Sequence, residues 1–220
     1  MAEYGSVNVQ ALRVTPLTAA GAPDVGSNAV VTQSTLTIDY DLDIEEGEEI
    51  TVKNAAGLIC LSKQAEDSIK RADVDLTLCQ LDFELLELMA GGTLHLDMTT
   101  PVGYSVKKAE AALQNPVCVE AWSLAWDGTT QAVDGSQNLL YLHWVFPLCR
   151  FVPGAGTLEE GAFEIPLSGT SDENGLLTTN GPFEDWPSNI VGENIDAAVN
   201  FFLDTSVPSV FGTIAVPAQA

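Results

Sequence analysis

Asp39, Asp41 and Asp43 occupy every second position of one short stretch, and four more acids, Glu45, Glu46, Glu48 and Glu49, follow at once. Oxygen ligands in that number invite a calcium reading, because calcium takes about six to eight of them. The three aspartates match the opening positions of an EF-hand loop. Ile44 then stands where that loop needs glycine, and Ile50 where it needs its closing glutamate. Strict alternation is also the pattern of a strand, not of a coordinating loop. No calcium site is expected.

Other constellations fare no better. Leu203-Asp204-Thr205-Ser206 has the look of an aspartic-protease signature, but the chemistry needs two facing aspartates and this chain has one copy, close to its C-terminus. His95 and Asp97 share a strand face, yet the chain holds two histidines in all, and the second, His143, lies inside a hydrophobic strand. A nucleophile elbow, a phosphate-binding glycine loop and a cysteine–histidine pair are all missing from the sequence. Trp122, Trp126, Trp144 and Trp186 could stack on sugars, although core or subunit contacts are the better account of three of them. No motif selects two of the acids as a glycosidase pair. The expectation is a protein without catalytic residues, metal or cofactor.

The elements that carry these residues are mostly strands. Thr35 to Ile44 puts Leu36, Ile38, Tyr40, Leu42 and Ile44 on one face and the three aspartates on the other. Arg71 to Cys79 repeats the design, with Val74, Leu76 and Leu78 opposite Asp73 and Asp75. Thr93 to Met98 alternates too. Val117 to Trp126 and Leu139 to Phe146 read as a hairpin with a long tip carrying Asp127-Gly128 and Asp134-Gly135. Ala162 to Leu167, Asn200 to Leu203 and Val210 to Val216 are further strands. One helix stands out, over about 82–90: Asp82 caps it, Leu85, Leu86 and Met89 form its sheet-packing face, and Gly91-Gly92 ends it. A shorter one is expected over Lys107 to Leu113. Val14 to Asn28 and Ser168 to Asn194 read as long loops, unusual in a compact domain unless something else orders them.

Composition narrows the function. The 220 residues fit one domain, and the 46% hydrophobic content supports a folded core. Thirty-one Asp and Glu face eight Lys and Arg, a net charge of −23, so specific nucleic-acid binding and adhesion to an anionic membrane are excluded classes. An acidic exterior of the kind found in proteins from salty environments is the plain alternative. Met1 to Ala20 has neither a basic start nor an apolar core, so folding in the cytoplasm is expected. Cys60, Cys79, Cys118 and Cys149 are widely spaced and read as reduced, buried thiols.

The order of features resembles the major tail (tail tube) proteins of long-tailed, non-contractile bacteriophages, particularly those of actinobacterial hosts. Four stretches carry the resemblance: Arg71 to Leu78 leading into Asp82 to Met89 and the double glycine; Asn115 to Trp122; Tyr141 to Pro147; and Phe163 to Gly169 followed by Asn180 to Pro187. Together they cover roughly Gly57 to Pro187.

The resemblance implies a single tail tube domain over 1–220, mainly β, of sandwich or split-barrel type with one flanking helix. It implies an N-terminal arm and loop over 1–34 used in subunit or ring contacts. Such proteins form rings, usually hexameric, that stack into a tube around a tape-measure protein and end at a tail terminator. Genome DNA later passes through the lumen without specific binding. The virion tail is then the final location, and the host cytoplasm the site of assembly. Asp39, Asp41 and Asp43, or Asp73 and Asp75, become candidates for the lumen wall. Ala19 to Ser34 is the candidate bridge between rings. A head decoration protein and an acidic carbohydrate- or calcium-binding β-sandwich are the alternatives.

Overall fold

Apolar–polar alternation over most of the chain produces strands, and the strands pair antiparallel. In the computed structural model, which describes residues 4–106, 115–154, 157–159, 162–177, 181–183, 185–186 and 197–218, one helix stands among fourteen strands. They are β1 (Gly5–Pro16), β2 (Asn28–Thr32), β3 (Thr35–Glu45), β4 (Glu49–Lys53), β5 (Ile59–Gln64), β6 (Ser68–Leu78), α1 (Phe83–Ala90), β7 (Thr93–Asp97), β8 (Thr100–Ser105), β9 (Val117–Trp126), β10 (Tyr141–Pro153), β11 (Thr157–Glu159), β12 (Ala162–Asp172), β13 (Asn200–Asp204) and β14 (Gly212–Ala215). The main sheet runs β14-β2-β1-β9-β10-β12-β6-β3, with β13 added to β10 and β11 to β12; β4–β5 and β7–β8 are separate hairpins. The fold is mainly β and antiparallel, and the sheet does not close into a barrel.

β9 shows why the sheet packs core on both faces. Its residues are buried on both faces for most of its length. Val117, Val119 and Ala121 face a core with Leu12, Val14, Phe146, Phe151 and the helix. Cys118, on the other face, joins Leu17, Val145, Leu177 and Trp186. The β9–β10 register shifts between Phe146 and Cys149, around Pro147, a residue with no N–H to give the ladder. Where β12 crosses β10 the backbones lie too close for a side chain: a Cβ on Gly169 would stand 2.2 Å from the Arg150 carbonyl oxygen.

The helix is built as its sequence requires. The Leu85 N–H donates to Asp82 Oδ1 at 3.0 Å, and Gly91, at φ 68°, ends the last turn. Leu85, Leu86 and Met89 are buried in the larger core, each worth about 1.5–3 kcal/mol by burial.

Several expectations need correction. The N-terminal stretch read as arm and loop supplies two sheet strands, and β1 lies between β2 and β9. β1 runs to Pro16 and β12 to Asp172, so both expected loops begin later than composition suggested. Their described parts are ordered by this chain itself. Leu177 and Trp186 cover the second core, and the Asn174 side chain donates to the Gly21 carbonyl. Within the candidate bridge Ala19 to Ser34, Asn28–Thr32 form β2, held between β1 and β14. The short helix over Lys107 to Leu113 lies outside the described residues.

Candidate functional site

β3 and β6 are neighbours, and their register brings the two acidic ladders together. Asp39 is opposite Asp75, Asp41 opposite Asp73, and Asp43 opposite Arg71. Residues directly opposite on paired strands point to the same side, so the five aspartates form one face. Asp39, Asp41, Asp73 and Asp75 are exposed, and Asp43 is half-buried. The reverse side of β6, with Val74, Leu76 and Leu78, is core. Uncharged Ser168 and Thr170 of β12 extend the face beside Asp75 and Asp73.

Among the described residues, one cation answers the five carboxylates. Arg71 Nε lies 3.3 Å from Asp43 and 3.5 Å from Asp73, at one end of the patch, and makes no aligned hydrogen bond with either. Asp39, Asp41 and Asp75 make no ion pair among the described residues. Like charges directly opposite on a sheet are destabilising, so this face works against the monomer's own stability. Chemically it can repel a polyanion at short range, over a screening distance of about 8 Å at physiological salt.

The same strands lead away from the core. β3 is an edge of the sheet, so one side of its backbone has no strand partner among the described residues. Its apolar face becomes increasingly uncovered: Ile38 is half-buried, Tyr40 is 42% exposed and Ile44 55%. Beyond it the β4–β5 hairpin exposes Ile50, Val52, Leu58, Ile59 and Leu61. A two-stranded hairpin with no core beneath it is marginal in water. A groove of about 510 Å³ opens near its base, lined by Tyr40, Leu42, Ile69 and Phe201 among others.

The remaining candidates disperse. His95 lies on exposed β7 with its Nε2 2.7 Å from Ser105 Oγ, and Asp97 ends the same strand. No cluster of three or more His, Cys, Asp or Glu side chains among the described residues is arranged to hold a metal ion. Trp122 and Trp186 are buried, and Trp126 and Trp144 half-buried. All four thiols are free. Cys118 and Cys149 are buried as expected, but Cys60, on the uncovered hairpin, and Cys79, just past β6 with its thiol donating to the Ser34 carbonyl, are exposed. No helix among the described residues is long and apolar enough to cross a membrane.

Tertiary structure also assembles a charged cluster that sequence patterning did not reveal. Arg13 of β1 donates to both oxygens of Glu120 on β9, at 2.8 and 2.7 Å, and to both oxygens of Asp185, at 2.5 and 2.8 Å. Its guanidinium also lies over the rings of Phe183, at 4.3 Å, and Trp122, at 5.1 Å. Trp186 Nε1 donates to Glu120 at 2.7 Å. Burial works to raise the Glu120 carboxyl, but the charges and hydrogen-bonding groups of Arg13 and His143 together outweigh it and hold the group below the usual carboxylate range. Burial likewise opposes the Arg13 charge, and the two carboxylates more than restore it. Asp204, of the Leu203–Ser206 run, belongs here, 3.5 Å from His143 Nδ1. The available signals were Arg13, Glu120 and His143 inside apolar strands, three polar side chains that need partners when buried.

No protein-family model and no curated protein matches the chain.

Proposed function

We propose that this chain is a non-enzymatic structural subunit that assembles into stacked rings, forming a phage-type tail tube of sandwich or split-barrel subunits. Its β3–β6 carboxylate face would line a conduit for DNA. The observation that carries this reading is the register of β3 on β6, which sets Asp39 against Asp75 and Asp41 against Asp73. Five like charges on one face weaken a solitary domain but suit a wall past which a polyanion must slide. The free β3 edge and the uncovered hairpin support self-association, because both leave hydrogen-bonding groups or apolar area that another copy can cover. The family resemblance adds a tape-measure protein inside the growing tube and a terminator at its end.

Electron microscopy of the purified chain tests the reading. Tubes or stacked rings with β3 and β6 on the inner wall are expected; isolated monomers or trimers, or an outward-facing β3–β6 face, would overturn it. Because each subunit carries −23, assembly followed by light scattering is expected to accelerate with added salt.

A further inference from the structure

We infer that His143 is held as an imidazolium, protonated on both ring nitrogens, and that this buried cation latches β13 onto the body of the sheet. The ring is fully buried and stacks on Trp122 of β9 with centroids 4.1 Å apart. Phe202 of β13 meets it edge-on at 4.8 Å, and Trp186 at 6.5 Å. Its Nε2 faces Glu120 Oε1 at 3.3 Å and its Nδ1 faces Asp204 Oδ2 at 3.5 Å. Both separations are long and neither is an aligned hydrogen bond, so charge and stacking hold the ring.

The protonation state follows from what stands on either side. A neutral imidazole has one nitrogen that can only accept, and here each nitrogen faces a carboxylate oxygen, which also only accepts. Both carboxylates are committed as anions elsewhere. Glu120 takes bonds from Arg13 and Trp186, while Asp204 Oδ1 takes the Ser206 N–H and hydroxyl, each at 2.9 Å. The cluster therefore sets two cations, Arg13 and His143, against three carboxylates, Glu120, Asp204 and the more distant Asp185. Burial alone would strip the proton from His143, and Asp204 and Glu120 reverse that preference.

The latch matters because β13 has its ladder partner on one side, along Tyr141 to Val145, and presents Phe201, a lining residue of the groove with Tyr40 and Ile69. A proton gained on folding stabilises the fold fully below the ordinary histidine pKa of about 6.5, and that contribution is lost as pH rises through the raised folded value. Alkaline pH should therefore loosen β13 first.

His95→Gln leaves His143 as the single histidine of the 220 residues, and nitrogen-15 NMR then reads its ring directly. Two protonated nitrogens at pH 7 and a titration above the ordinary range are expected, with Asp204→Asn moving that titration down. The melting temperature should fall from pH 7 to 9 in the parent and stay flat in His143→Gln. A single-proton tautomer at pH 7, or a titration that Asp204→Asn leaves unmoved, would overturn the inference. If His143→Gln does not fold, the ring titration decides alone.

Discussion

Two groups of carboxylates in this protein obey opposite rules. Glu120 and Asp204 lie inside, and each is met by a cation and by hydrogen-bond donors. Asp39, Asp41, Asp73 and Asp75 lie outside, set against one another with Arg71 alone nearby. Burial explains the first group, since a charge removed from water must be paired or the chain does not fold. Water explains why the second is tolerated, because high dielectric and salt reduce each repulsion to a fraction of a kcal/mol or about 1 kcal/mol. The interior acids thus answer to stability. The exterior acids are free to answer to something else, which the tube reading supplies.

The contrast breaks most sharply at Glu120. Glu120→Ala leaves Arg13 buried beside Asp185 alone, and a loss of about 3–5 kcal/mol is expected in urea denaturation. A midpoint like that of the parent would dissolve the distinction between the two acid groups. Gly169→Ala comes next, where β12 carries one region into the other. The added methyl meets the Arg150 backbone, and a cost of about 1–3 kcal/mol should appear in the same assay.

On the exposed face the sign should reverse. Replacing Asp73 and Asp75 together by lysine turns two like-charge pairs into opposite-charge pairs, so the monomer should gain up to about 1 kcal/mol. Under the tube reading the same change impairs DNA passage, and particles of unchanged infectivity would remove Asp73 and Asp75 from the wall. The smallest stability effect belongs to the hairpin. Ile50→Ser with Leu61→Ser should alter the monomer by no more than about 0.5 kcal/mol, because neither side chain has a core to leave. Light scattering should nonetheless show assembly lost, and tubes formed at the parental rate would mean the hairpin covers nothing.

How legible all this was depended on the range of each interaction. The helix from Asp82 to Gly91 was readable because its cap, apolar face and terminating glycine lie within ten residues. The β9–β10 hairpin was readable for the same reason: two alternating runs and turn residues between them. β1 was missed as a central strand, since its pairing partner β9 lies about a hundred residues away and nothing local announces it. The two long loops were expected to need neighbours, yet Leu177, Trp186 and Asn174 find their partners within the chain.

Alternation and capping by themselves determined that this is a β-rich chain with one short helix and two strands bearing acids on one side. Only the tertiary structure decided that those strands are adjacent, with Asp39 on Asp75, and that Arg13, Glu120, His143 and Asp204 meet in one buried cluster. The reason is physical. Periodicity records which way each side chain points along its own strand, while strand order and register are choices among distant partners, made by the packing of the whole sheet.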